Sequence, residues 1–466
     1  MASQVLDVIN PYSEDVVCTL PLTQPGEVDA AVARARQAFH GWRGTPIRDR
    51  VALCRKFMTV FKQMADQVAA DISAQMGKPV AHAKGEVGRM LERAKYMTSI
   101  AEQTLQDEPV PEVAGFNRYI RHEPLGVVLD IAAWNYPLLI AVNVIVPAVL
   151  AGNAVLVKHS SKTPLCGQAF ADAFARSGAP EHLVQNVVAD HAVTETFIQH
   201  PGVDYVSFTG SVRGGHEMVH SAVDRFVDIG LELGGKDPAY VCADAPFEFA
   251  VENCVDGALF NAGQSCCAIE RIYVEQGIYN EFVEAYTAEA KRYAVLGDPA
   301  LESTTLGPLA SKSAPAFLRG QVDDAVARGG RLVVGQADFD VPPKGWFFPP
   351  AVVADAPQDC PLMQEESFGP VVGIVPVSGD EEAVAMMNDS EYGLTASIWT
   401  CDEGRAILIG KQIETGTVFM NRCDFCDPGL PWTGVKDTGR GCSLSHYGLL
   451  QLSRLKSMHL RTELPD

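Results

Sequence analysis

Positive charge is scarce in this sequence. Lysine and arginine number 37 against 58 aspartates and glutamates, a formal net charge of −21. That balance argues against nucleic acid or anionic membrane as a partner, so any anionic ligand must be met by local donors. No leader is expected either. Met1-Ala2-Ser3-Gln4 has neither a basic nor an apolar region, and no secretory signal is read. Without export, 12 cysteines imply a reducing compartment, the cytoplasm, with thiols buried or reactive. The GxGxxG dinucleotide fingerprint is absent, as are internal repeats and low-complexity segments. Cys423 and Cys426 form a CxxC with no second pair and no nearby His, which points to a packing pair and no metal site. Charge is absent altogether from Ile131 to Val157, a run long enough to cross a bilayer. Asn135, Pro137, Asn143, Pro147, Gly152 and Asn153 interrupt it, so a strand, a buried helix and a second strand fit better.

What is present is a chain of 466 residues, too long for one ordinary core. Residues 5–20 read as a hairpin turning at Asn10–Ser13. Helices are expected over Gly26–Trp42, Arg48–Met76 and Ala81–Leu105, and a strand over Phe116–Arg121. Strands and helices then alternate: strands at Val127–Ala132, Ala154–Val157, Val184–Val188, Tyr205–Phe208 and Val227–Leu231, with helices at Leu138–Leu150, Cys166–Ser177, Ala192–Gln199 and Gly214–Ala222. That is the pattern of a doubly wound α/β domain, which binds ligands at the carboxyl ends of its strands. The alternation restarts after Gly234–Pro238, which marks a boundary between two such domains. Residues 437–441 read as loop, and Leu452–Arg461 as a strand with no partner nearby in sequence.

Phe260 to Ala268 holds two adjacent cysteines between a helix end and a strand. A thiol fixed in that way suits a nucleophile, but local sequence does not choose between Cys266 and Cys267. Glu232 lies where a strand ends at Gly234-Gly235. An acid in that apolar frame has a raised pKa, as a general base working near neutrality requires. Asn135 follows a strand and precedes a proline-started helix; it can donate to an oxyanion, or equally cap the helix. Lys158 ends a strand where a nucleotide ribose or phosphate would lie. The Phe208-Thr209-Gly210-Ser211 turn opens a helix whose free N–H groups suit a pyrophosphate. Glu366 and Phe368 can orient a sugar and a flat ring.

Together these motifs resemble those of the aldehyde dehydrogenase superfamily. Phe260–Ala268, Leu231–Gly235, Ala133–Pro137, Phe208–Ser211 and Glu366–Pro370 occur in that family's order, and the separation of Glu232 from Cys266 also matches. The resemblance runs from about residue 7 to residue 460. It implies two doubly wound α/β domains plus a small β oligomerisation arm. Residues 1–105 and 125–236 would bind dinucleotide, 237–436 would be catalytic, and 106–124 with 437–466 would form the arm. The carboxyl-terminal strand would then find its partner in another subunit of a homodimer or homotetramer.

The resemblance also implies that Cys266 is the nucleophile, with Asn135 and the Cys266 N–H holding the oxyanion. Hydride passes to NAD(P), and Glu232 activates the water that releases a free acid. Lys158 would bind the adenine-side ribose, Glu366 the nicotinamide ribose beside Phe368, and Trp134 would line the cofactor cleft. Lys436 matches a motif near the site without a defined role. The family's NAD-preferring members commonly carry an acid three positions after Lys158. Here Ser161 stands there with Lys162 beside it, so NADP is expected to be accepted alongside NAD. Ser443 stands where many members carry a second glutamate, which leaves deacylation to Glu232. Leu138–Asn143 should line the aldehyde tunnel and lacks the arginine often found in succinic semialdehyde enzymes. A neutral aldehyde is therefore favoured over a carboxylated one held by Arg422, with Asp424 and Phe425 near the tunnel mouth. The alternatives are a semialdehyde-specific member, a CoA-acylating relative, an idle structural relative and a cofactor-free cysteine hydrolase. Glu232 and Cys266 speak against the idle reading, and Glu232 against the acylating one.

Overall fold

The computed structural model describes residues 4–464. The leader reading on Met1–Ser3, and the last two residues of the expected arm, lie outside them. Two sheets dominate. The first has six strands in the order Gly439–Arg440, Asp228–Glu232, Tyr205–Thr209, Val127–Ala132, Ala154–His159, Val184–Asn186. All its neighbours pair in parallel except Gly439–Arg440. Val127–Ala132 and Ala154–His159 are buried at every residue. Helices cover both faces of such a sheet, so its strands read as apolar runs rather than alternating ones. The uncharged stretch resolves as strand, helix, strand: Pro137–Ala151 is one helix buried along its whole length. Among the described residues no helix is long and apolar enough to cross a membrane.

The second sheet has seven strands, ordered Arg331–Val334, Ala351–Ala354, Val371–Val377, Ile269–Glu275, Asp237–Val241, Thr395–Trp399, Thr417–Met420. It is parallel but for its first strand, which runs antiparallel to Ala351–Ala354. Each sheet anchors its own apolar core. The chain passes from one to the other between Glu232 and Asp237.

Three expectations need correction. Arg48–Met76 is not one helix but two, Ile47–Gln63 and Ala65–Met76, broken at Met64 (φ −96°, ψ 0°). The break lets each half bury its own face. Phe57 and Phe61 pack on Phe170 and Phe174, while Val68, Ile72 and Met76 form the second face. Residues 437–441 are not all loop, because Gly439–Arg440 closes the edge of the first sheet against Leu231 and Glu232. The tail strand needs no second subunit for a partner. Ser453–Arg461 pairs antiparallel with Phe116–Pro124 of its own chain, and Glu108–Pro109 adds a third strand.

Candidate active site

The helix Phe247–Leu259 stops at Phe260, and three left-handed residues follow: Asn261 (φ 55°), Ala262 (φ 55°) and Gly263 (φ 68°). Two of them carry a Cβ, a conformation that costs on the order of 1–3 kcal/mol each and persists only where the surroundings impose it. The surroundings are specific. Asn261 Nδ2 donates to the carbonyls of Asn135 and Gln264, both at 3.1 Å. Gln264 Nε2 donates to Asn261 O at 3.2 Å, and Gln264 Oε1 accepts from Ala310 N at 2.9 Å. A Cβ on Gly263 would lie 2.2 Å from Gly369 O, so the second domain's backbone closes directly on the turn. The turn delivers Cys266 half-buried and Cys267 buried, with the Cys267 thiol donating to Asp424 Oδ1 at 2.9 Å.

Cys266, Glu232 and Asn135 line one cavity of about 610 Å³. Burial pushes the Glu232 carboxyl above its ordinary value, against the opposing pull of the Ser443 hydroxyl and the Arg93 guanidinium. The Cys266 thiol also lies above its ordinary value. Cys267 beside it pulls it down, and burial together with nearby acids outweighs that pull. Asn135 is buried and is not the cap of the following helix: Tyr136 occupies that place, with no side-chain cap bond. The capping alternative for Asn135 therefore falls away.

The residues expected to meet a dinucleotide gather at the carboxyl ends of the first sheet. Lys158 lies within the strand Ala154–His159 rather than beyond it. It is 9% exposed and makes no hydrogen bond or ion pair with the protein among the described residues. Burial lowers its pKa, which Asp190 partly restores. A buried cation without a protein partner fits ribose hydroxyls or a phosphate. Ser161 is exposed in the turn that follows. Lys162 does not add free charge there. Its ammonium donates to Ala310 O and stands 5.2 Å from the Trp134 ring, and burial lowers its pKa to about 8.

The glycine turn also differs from expectation. Gly210 N–H is not free, because it donates to Glu232 O at 3.1 Å. Ser211 caps the helix Val212–Ser221 through Gly214 N at 3.2 Å. The Phe208 ring lies so close under this turn that a Cβ on Gly210 or Gly214 would stand 2.6 Å from its edge. Glu366 Oε1 accepts from Gly235 N at 3.1 Å, and burial, then Glu270, push its pKa up to about 8. Trp134 and Phe368 meet edge to face, with centroids 5.4 Å apart.

Several site residues escaped the sequence reading. Lys236 and Glu270 form a fully buried ion pair. Glu270 accepts from Ser367 N (2.8 Å) and Phe368 N (2.9 Å), and so holds the turn that carries Glu366. On the helix Val80–Thr104, Arg89 and Arg93 line the cavity, and their i, i+4 spacing placed them on one face. Arg93 Nη1 donates to Leu139 O (3.1 Å) and Asn143 Oδ1 (3.2 Å). Arg89 and Arg422 flank the Phe425 ring, at 5.5 and 3.4 Å from its centroid, and neither is within ion-pair distance of a carboxylate among the described residues. Cys423 and Cys426 pack against the second core and against Cys267 and its neighbours, and both also line the cavity. Lys436 does not line it. Its ammonium holds the Asn388 and Ser390 carbonyls and Glu414.

With a positioned thiol, a half-buried carboxyl and a buried amide facing one cavity between two α/β sheets, the chain belongs to the aldehyde dehydrogenase family, whose family model matches residues 1–458. It is an oxidoreductase of that class. Among similar curated proteins is the succinate-semialdehyde dehydrogenase [NADP(+)] 1 of Mycobacterium tuberculosis (strain ATCC 25618 / H37Rv), 36% identical over 452 residues, 97% of this chain and 98% of the relative. An aldehyde dehydrogenase of Paenarthrobacter nicotinovorans is 35% identical, covering 97% of this chain and 98% of that protein. Among solved structures, an NAD-dependent aldehyde dehydrogenase from Sinorhizobium meliloti superposes with a TM-score of 0.95 at 30% identity, over 99% of this chain and 92% of that one.

Proposed function

We propose that the protein oxidises a carboxylated aldehyde, a semialdehyde of the succinic type, to the free dicarboxylic acid with NADP as the preferred acceptor. The observation that carries this reading is the cavity, with Cys266, Glu232 and Asn135 inside it and two guanidiniums along its wall, Arg89 and Arg422, that make no ion pair among the described residues. Among acids on the same cavity, Asp256 accepts from Tyr293 OH, Asp424 from Ser265 and Cys267, and Glu86 from Lys78, while Glu92 also lines the wall and Asp256 and Asp424 both attract Arg89. Relatives named succinate-semialdehyde dehydrogenases [NADP(+)] agree with this choice over the neutral aldehyde that sequence alone favoured.

The residues divide the work as follows. The Cys266 thiol gives its proton to solvent, and the thiolate adds to the aldehyde carbon. Asn135 Nδ2 and the Cys266 N–H hold the oxyanion. NADP, when bound, supplies the hydride acceptor. Lys158, Ser161, Ser211, Trp134, Glu366 and Phe368 would hold it: Lys158 as a cation without an ion pair among the described residues, Ser161 as a donor that tolerates a 2′-phosphate, Glu366 through its second carboxylate oxygen. The Cys266 thioester is then cleaved by a water that loses its proton to Glu232. The three-stranded sheet has a free edge at Ser453–Arg461, where Leu455 and Leu460 are exposed, which supports pairing into a homodimer or homotetramer. Twelve free cysteines support a reducing compartment, the cytoplasm.

The test compares kcat/KM for succinic semialdehyde and butanal. Wild type should prefer the semialdehyde, and Arg422→Ala or Arg89→Ala should lose about tenfold or more on it, with a smaller change on butanal. A wild-type preference for butanal contradicts the carboxylate reading and leaves the aldehyde chemistry standing.

A further inference from the structure

Asp424 has no part in the chemistry described so far, yet it touches both halves of it. Its backbone is left-handed (φ 44°), an uncommon state for a residue with a Cβ, and this turns the carboxylate back toward the nucleophile turn. Oδ1 accepts from Cys267 Sγ at 2.9 Å and from Ser265 Oγ at 3.0 Å, the residues on either side of Cys266. Oδ2 lies 3.4 Å from the hydroxyl of Tyr136, the residue after Asn135. One side chain therefore grips the neighbours of the nucleophile and the neighbour of the oxyanion donor.

The far end of the grip is also anchored. The Lys78 ammonium stands 4.1 Å from the Tyr136 ring centroid and pairs with Glu86 in a fully buried contact. Glu86 Oε1 accepts from Leu138 N at 2.8 Å, at the start of the helix that follows Asn135. Cys266 and Asn135 come from different domains, so their spacing depends on contacts that cross between them. The chain Glu86–Lys78–Tyr136–Asp424–Ser265/Cys267 is such a contact, and Asp424 brings in a third segment, 421–426.

We propose that Asp424 is the positioning residue that sets Cys266 against Asn135, by holding Ser265, Cys267 and Tyr136 at once. It lies on the cavity wall and acts on Cys266 and Asn135 through the partners it holds. The inference rests on the reading of Cys266 as nucleophile and Glu232 as deacylation base. A misplacement of about 1 Å between reacting groups costs on the order of a hundredfold in rate, so the effect falls on formation of the acyl-enzyme.

The test isolates that step. In a Glu232→Gln background deacylation is blocked, and the first turnover of succinic semialdehyde with NADP reads acylation alone. Adding Asp424→Ala should slow the first-turnover rate by about tenfold or more, with the NADP dissociation constant unchanged. Asp424→Asn should recover most of the rate, because an amide oxygen still accepts from Ser265 and Cys267 while the amide nitrogen donates to the Tyr136 oxygen. A merely structural role would lower the amplitude, the fraction of competent enzyme, and leave the rate alone. That outcome, a wild-type rate in Asp424→Ala, or an Asp424→Asn as slow as the alanine overturns the proposal. Should Asp424→Ala fail to fold, the double variant Ser265→Ala/Tyr136→Phe carries the test in the same background, with a slowed first turnover supporting the proposal and an unchanged one overturning it. Failure of the underlying reading shows separately, as full steady-state turnover in Glu232→Gln alone or a first turnover in Cys266→Ala.

Discussion

The side-chain amide of Asn261 donates to the backbone carbonyl of Asn135 at 3.1 Å, so the turn that presents Cys266 is tied to the segment that presents the oxyanion donor. The same amide reaches Gln264 O, which holds Asn261 in its left-handed conformation. One side chain thus maintains both the local bend and the register between the two domains.

Replacing Asn261 by alanine removes both bonds and leaves a left-handed residue without the local hydrogen bonding that makes asparagine tolerable there. Asn261→Ala should lose about 1–3 kcal/mol of stability, read as a lower midpoint in urea. It should also lower kcat while KM for NADP holds.

That bend marks the limit of what the residues announce. Buried strands such as Val127–Ala132 were legible because burial on both faces demands a largely apolar run. Phe260–Ala268 was legible as a link between a helix end and a strand, but the bend at Asn261-Ala262 was not, and no local rule forecasts alanine at φ 55°. Tertiary bonds impose it. The break at Met64 is silent for a similar reason, since neither glycine nor proline stands there and packing alone redirects the helix. Cys266, Glu232 and Asn135 were legible by motif, and the cavity they line brings them together. Their supports were not: Lys236 with Glu270, and Arg89 beside Phe425, are contacts between segments far apart in the chain. Lys162 looked like free charge only because sequence does not show Ala310 and Trp134 around it.

Glu232 gives a pH dependence with a definite sign. Burial raises its pKa, and a base must be ionised to take a proton. Turnover should therefore fall as pH drops through a midpoint above the ordinary glutamate value of about 4.3. The acid limb of kcat against pH measures it. A limb at or below the ordinary value contradicts Glu232 as the base, as does a Glu232→Gln variant that keeps wild-type turnover.

Ser161 governs the choice of dinucleotide in this account. A carboxylate at that exposed position would repel a 2′-phosphate and accept from a 2′-hydroxyl. Ser161→Asp should lower kcat/KM for NADP by about tenfold, a loss of about 1.4 kcal/mol of binding, and raise it for NAD. Initial rates with both dinucleotides at fixed aldehyde decide the matter. A wild-type preference for NAD of about a hundredfold or more contradicts the assignment.

The central claim is that Cys266 carries the acyl group between hydride loss and hydrolysis. Glu232→Gln, mixed with succinic semialdehyde and NADP, then quenched in acid and digested, tests it most directly by mass spectrometry. The account predicts stoichiometric NADPH and a succinyl group on the peptide bearing Cys266 and Cys267, with fragmentation placing it on Cys266. An acyl group on Cys267, or NADPH formed with no covalent adduct, would contradict it.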